Sequence, residues 1–179
     1  MDFRGIKEFI KDTSGYILVI IGVILFVQYV ITIQQNIGPS MQPTLEDGNA
    51  FLLNKLSYKI GSVKRGDIVV ISSEEEKFFV KRIIGLPGEK IEYKDNILYI
   101  DGNAYNEKYL SKDVITYDFN MDMIKGTIDG LIPDDMYLVL GDNRTNSKDS
   151  REIGLISKKK IIGKTIFRIW PFSKIGFVN

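Results

Sequence analysis

No histidine and no cysteine occurs anywhere in the 179 residues. The missing cysteines exclude disulfides, thiol catalysis and cysteine-held metals, and they are compatible with either redox compartment. The missing histidines remove the commonest general base and the commonest metal ligand, and with them any Ser-His-Asp triad. No metal and no cofactor is expected from such a composition. Net charge is scarce as well: 24 Lys and Arg face 23 Asp and Glu, a formal charge of +1. The chain therefore lacks the electrostatic footprint of a nucleic-acid binder. Its length suits one domain with a small appendage, at about 100–200 residues per domain.

Charge is also absent locally. No Lys, Arg, Asp or Glu lies between Asp12 and Glu46, and within that gap residues 16–33 read YILVIIGVILFVQYVITI. A membrane-spanning helix takes about 20 mostly apolar residues, so the run is long enough. A buried core helix would show a polar stripe, and this one does not. A cleaved secretory signal would have an apolar stretch of about 7–15 residues ending in a small-residue site. Here Ile33-Gln34-Gln35-Asn36 follows instead. We read an uncleaved transmembrane signal anchor at 16–33, preceded by a short segment at 1–15 and followed by a domain at 34–179. Arg4, Lys7 and Lys11 flank the run on one side, and the next basic residue on the other is Lys55. The positive-inside bias then keeps residues 1–15 cytoplasmic and sends 34–179 outside, in a single pass. Phe3, Ile6 and Ile10 recur at helical spacing, so residues 1–15 lie on the inner membrane surface, extend the helix, or form a plain solvated flank.

Past the anchor, short β-type runs alternate with turn residues, and the expected class is mainly β. Strands are predicted at residues 50–53, 67–72, 77–84, 97–101, 136–140 and 161–170. Asp47-Gly48, Asp101-Gly102 and Leu86-Pro87-Gly88 are turn signals, with Gly88 suited to a positive φ. The stretch 105–130 is polar and weakly periodic, and reads as an excursion from the sheet. Gly85-Leu86-Pro87-Gly88-Glu89-Lys90 is no phosphate loop, because Gly must directly precede that Lys and Ser or Thr must follow it. The acidic loop after Asp142 places Arg144, Lys148 and Ile153 where a calcium loop needs oxygen donors.

Two strings carry chemistry. Gly38-Pro39-Ser40-Met41-Gln42-Pro43 sets a serine just beyond the apolar run, and Phe79-Val80-Lys81-Arg82-Ile83-Ile84 embeds a lysine among apolar residues. A serine nucleophile needs a base, and here only a lysine is on offer. At a pKa of about 10.4, roughly one lysine in 2,500 is neutral at pH 7. Burial disfavours the ammonium and lowers that pKa, by up to about 3–5 units. If 78–84 is a strand, Phe79, Lys81 and Ile83 share one face, which provides the desolvation. Taken alone, Lys81 is more commonly a strand lysine snorkelling to water, and Ser40 an ordinary turn serine. The third string, Gly141-Asp142-Asn143-Arg144-Thr145-Asn146-Ser147-Lys148-Asp149-Ser150-Arg151, is either a solvated turn or a hydrogen-bonded shell that presents a hydroxyl to the lysine.

These three strings, with Arg65-Gly66-Asp67-Ile68-Val69-Val70 between the first two and Gly163-Lys164…Phe167-Arg168-Ile169-Trp170-Pro171 at the close, occur in an order that resembles bacterial type I signal peptidases of the short, Gram-positive-like form. The resemblance spans most of residues 16–171 and leaves 105–130 as a gap. It implies a membrane-bound serine endopeptidase that removes signal peptides from exported preproteins through an acyl-enzyme. Ser40 would be the nucleophile and Lys81 the general base. Ser147 would orient the Lys81 amine, Asp149 and Arg151 would form an ion pair, and Asp142 would pair with Arg82. Gly38, Met41 and Phe79 would adjoin the substrate, with small side chains accepted at the first and third positions before the cut. The chain around 34–38 and the strand through Phe79 would flank an extended peptide as added β-strands. The Ser40 N–H would be one oxyanion donor, with the second left open because Gly38 carries no hydroxyl. The implied setting is the bacterial cytoplasmic membrane, with preproteins, the bilayer and the translocation machinery as partners and no nucleic acid. Three alternatives stand beside this reading: a self-cleaving repressor, disfavoured by the anchor; a non-catalytic tethered relative, disfavoured by the retention of both Ser40 and Lys81; and a dedicated peptidase with few clients.

Overall fold

The computed structural model describes residues 3–72, 78–111 and 113–178, with side chains from residue 12 onward. One helix, α1 (Phe3–Val30), runs without interruption through the apolar segment. Residues 1–15 thus extend the helix from Phe3 onward. Its apolar stretch Asp12–Val30 is 19 residues and is not buried against the rest of the protein. At 1.5 Å per residue that is about 28 Å, close to the hydrocarbon thickness of a bilayer.

The helix ends three residues before the apolar run does. Ile31–Gln35 form β1, paired antiparallel with β2 (Ala50–Asn54) from Ile31↔Asn54 to Gln35↔Ala50. Val30 opens a run of β-branched residues with Ile31, Thr32 and Ile33, which fit a pleated surface better than a helix. The Lys55 N–H takes the Val30 carbonyl at 2.9 Å, so the junction keeps its backbone bonds. The sequence reading assigned Ile31–Ile33 to the anchor because apolarity alone does not separate a helix end from a strand start.

The remaining strands are β3 (Ile68–Ser72), β4 (Phe78–Gly85), β5 (Ile91–Lys94), β6 (Ile97–Ile100), β7 (Asn103–Tyr105), β8 (Phe119–Asn120), β9 (Met136–Leu140), β10 (Ile156–Ser157), β11 (Ile161–Trp170) and β12 (Gly176–Phe177). Among the described residues they make two sheets. The larger has the order β1-β2-β11-β3-β4-β9-β10, with β12 on β11, and the smaller has the order β7-β6-β5-β8. The class is mainly β, as expected. Lys77, predicted to open the strand through Lys81, lies outside the described residues. β5, unmarked by any strong apolar run, pairs with β6 through a two-residue turn at Asp95 and Asn96, both at positive φ. This is the geometry that matches hairpin twist.

β3 reads Ile-Val-Val-Ile and all four residues are buried, because both of its faces are covered. One face packs Val69 and Ile71 with Ile83, Val139, Ile156 and Ile161. The other packs Ile68 and Val70 with Val80, Met41, Leu45, Phe51 and Leu53. A third cluster joins the two sheets, setting Ile84, Leu138 and Leu140 against Ile91, Tyr93, Leu98 and Phe119. Gly85 sits at this junction, beside a register shift between β4 and β9. A Cβ there would run into Ile132, Ile91 and Leu138, so the close approach of the sheets requires glycine.

Candidate active site

Ser40 stands in a loop held from below. Asn36 is buried and its amide nitrogen donates to the carbonyls of Gly38, Leu45 and Glu46 at 3.0–3.2 Å. Gly38, at φ 87°, gives its N–H to Asp47 Oδ1 at 2.8 Å. Pro39 fits because the turn uses only its carbonyl, which accepts from Gln42 N at 3.0 Å and Asn143 Nδ2 at 3.2 Å. Met41 and Leu45 are fully buried and anchor the loop to the core beneath it. Met41 is therefore floor rather than exposed pocket wall. The Ser40 N–H has no hydrogen-bond partner among the described residues. The Gly38 N–H, being spent on Asp47, is not similarly available.

Lys81 reaches this loop from β4. Its Nζ lies 2.8 Å from Ser40 Oγ, and the residue is 1 % exposed. It pairs with Val69 across β3, and its Nζ is 5.6 Å from the centroid of the Phe79 ring. Burial pulls the amine down to about 8, against upward pressure from Asp149 and Asp142 and with some help from Arg151. Unfolded, the same lysine titrates near 10.4. Between those values the unfolded chain binds more protons than the folded one, so this residue's contribution to stability rises with pH from about 8 to 10.4. Below about 8 the native amine is protonated too, and the full penalty of about 3 kcal/mol persists. Lys81→Met removes that penalty. The variant should exceed wild type in stability by up to about 3 kcal/mol at pH 7, with the gap closing towards pH 10. Urea melts at a series of pH values measure it, and an advantage that grows with pH would contradict desolvation.

The loop 141–151 braces both residues. Asn143 N–H donates to the Ser40 carbonyl at 3.1 Å. A Cβ on Gly141 would strike the Ser40 carbonyl and Ser147, so the loop closes on Ser40 only because that residue is glycine. Asp149 is fully buried, accepts Arg151 Nε and Nη2 at 2.9 and 2.8 Å, and takes the Gly141 N–H at 3.0 Å. It also caps the short helix Ser150–Ile153, accepting from the Arg151 N–H. Asp142 accepts two bonds from Arg82 at 2.8 and 2.7 Å and one from the Thr44 hydroxyl at 2.5 Å. The structure thus brings Ser40, Lys81, Asp142, Arg82, Asp149 and Arg151 into one assembly. Ser147 is different. Its Oγ is buried without a hydrogen-bond partner among the described residues, and it does not engage Lys81, whose amine turns to Ser40. Gly38 and Phe79 are partly exposed beside the pair.

The sequence reading missed Arg144 and everything that holds it. Its guanidinium is buried, bonded to the Gly141 carbonyl at 3.0 Å and to Glu107 at 2.7 and 3.1 Å, with Thr116 and the Tyr93 hydroxyl alongside. Tyr93 and Tyr109 both donate to Glu107, and the Arg82 guanidinium lies 3.8 Å from the centroid of the Tyr109 ring. Burial pushes both tyrosine hydroxyls well above their ordinary range. Glu107, Tyr109 and Thr116 therefore clamp the loop from the side of the smaller sheet. Among the described residues no cluster of three acidic groups could hold a metal.

A mainly β domain behind an apolar helix, with a serine and a desolvated lysine in contact, defines the class. Residues 6–170 match the model of signal peptidase, peptidase S26. The chain is 43 % identical to signal peptidase I of Bacillus caldolyticus over 147 residues, covering 78 % of this chain and 80 % of that one. It is 41 % identical to signal peptidase IB of Staphylococcus aureus strain MRSA252 over 166 residues, 87 % of each. The crystal structure of a signal peptidase I from Enterococcus faecalis V583 is 38 % identical, with a TM-score of 0.52 over 59 % of this chain and 97 % of that one. The chain belongs to the signal peptidase family, peptidase S26, a family of serine endopeptidases.

Proposed function

We propose that this chain removes N-terminal signal peptides from exported preproteins by a Ser40–Lys81 dyad. The observation that carries the reading is the 2.8 Å contact between a buried lysine amine and a serine hydroxyl. With a pKa near 8, roughly one amine in eleven is neutral at pH 7, against roughly one in 2,500 for a free lysine. The neutral amine takes the Ser40 proton as Oγ attacks the scissile carbonyl. The Ser40 N–H, without a partner among the described residues, would donate to the developing oxyanion. The resulting ammonium protonates the leaving amine, which departs as the new N-terminus of the mature chain and leaves a Ser40 ester. Lys81, neutral again, deprotonates the water that hydrolyses the ester. Asp149–Arg151 and Asp142–Arg82 hold the frame, and Ser147, whose Oγ has no hydrogen-bond partner among the described residues, would turn to orient the amine once substrate is bound.

An edge of β4 that no described strand pairs with supports the binding mode. Its residues 78–81 pair with β3 on one side, whereas β9 takes the other side only from Arg82 onward. An extended peptide added there, facing residues 34–38, would place its last signal residues against Phe79 and Gly38. Cleavage is expected after small side chains at the first and third positions before the cut. Sequencing the new N-terminus of a processed precursor tests this. Replacing the final Ala of the signal by Trp should abolish cleavage at that bond, and unchanged cleavage would contradict the shallow pocket.

In the proposed topology residues 1–15 face the cytoplasm, the anchor crosses the cytoplasmic membrane, and the domain meets preproteins outside, near the bilayer and the translocation machinery. Protease added to intact spheroplasts should digest the domain beyond Asn36 and spare a tag placed before Arg4. The reverse pattern would contradict both the orientation and the substrate route.

A further inference from the structure

A groove of about 420 Å³ opens beside the Ser40 loop, bounded by Gln42 and Pro43 on one side, Asn143 and Thr145 on another, and Val114 and Ile115 on the third. Its size falls within the range of about 300–1,000 Å³ typical of ligand pockets. It begins two residues past Ser40, and Asn143 is the residue whose N–H holds the Ser40 carbonyl. The charged groups that reach it from beneath are already paired, Asp142 with Arg82 and Arg144 with Glu107. What it presents to a ligand is an apolar wall, in which Ile115 is 58 % exposed, together with neutral amide and hydroxyl groups and the exposed carboxylate of Asp113.

The sheet supplies the occupant. A peptide lying on the edge of β4 at 78–81 is collinear with β9 and cannot continue past Lys81, because from Arg82 that edge belongs to Leu140, Val139 and Leu138. At the scissile bond the chain must leave the sheet. The groove opens next to the Ser40 loop, with Gln42 and Asn143 in its lining.

Resting on the peptidase reading above, we propose that this groove binds the first residues of the mature chain, immediately after the cut, and that Ile115 is a specificity-determining contact for an apolar side chain there. The segment 105–130, which carries Ile115 and lies outside the main sheet, is thereby the part of this enzyme that reads the exported protein rather than its signal.

The test compares two substrates with one signal half. One continues for five residues past the cut, with Leu at the second and third positions, and the other ends in a fluorogenic amide directly after the cut. The full chain in detergent micelles, wild type and Ile115→Glu, is assayed on both. The ratio of kcat/KM for the long over the short substrate should fall about 5- to 10-fold in the variant, as expected for losing one apolar contact. The short substrate controls for folding. An unchanged ratio would overturn the groove assignment. Failure of the wild type to cleave either substrate would instead overturn the peptidase reading on which it rests.

Discussion

Ser40→Ala and Lys81→Met should each reduce precursor processing by about 10⁴-fold or more, because nucleophile and base act as one proton-transfer unit and removing either removes most of the acceleration. The expectation follows from the composition of the site. The chain has no histidine, and the other ionisable groups of the assembly are paired with one another, Arg82 with Asp142 and Arg151 with Asp149. The double variant should be no worse than either single one. Processing on a gel, with circular dichroism to verify the fold, measures it. Processing at wild-type rate by the Lys81→Met protein would end the dyad account.

A second large effect is expected in stability, at a residue far from Ser40 in sequence. Glu107→Gln removes the only carboxylate bonded to the buried Arg144 among the described residues and leaves its guanidinium uncompensated. Breaking a buried pair at one partner costs about 3–5 kcal/mol. The glutamine oxygen retains one acceptor, so the lower end, about 3 kcal/mol, is expected. Adding Arg144→Met to the same protein should recover part of the loss, a non-additivity diagnostic of direct coupling. Urea denaturation of the three proteins decides it, and a single variant within about 0.5 kcal/mol of wild type would show that the clamp is unimportant.

The contrast between these two sites explains what could be read in advance. Ser40, Lys81 and the loop 141–151 were legible because each sits in a short string whose residue types already state a chemistry. The strand through Val69 was legible as a β-branched run, and the strand through Val139 as a short apolar run with a polar loop behind it. Arg144 was in plain view within its loop, yet its partner Glu107 lies 37 residues earlier in a polar stretch with no periodicity. Pairing across that distance is set by how the two sheets pack, through Ile91, Tyr93 and Leu138, and no local pattern encodes it. Met41 was misplaced for a related reason: a residue next to a nucleophile is as easily the loop's anchor as its pocket wall. The junction at Ile31 was blurred because lipid and sheet both select β-branched apolar residues.

The central claim is that Lys81 is desolvated enough to act as a base at neutral pH, and its own titration tests that most directly. With lysine labelled at Cε with ¹³C and Lys81→Met used to assign the signal, the chemical shift should report a midpoint near 8, with Ser40→Ala keeping the midpoint well below that of free lysine. A midpoint near the ordinary 10.4 would contradict the account, because the amine beside Ser40 would then be an ammonium and no base.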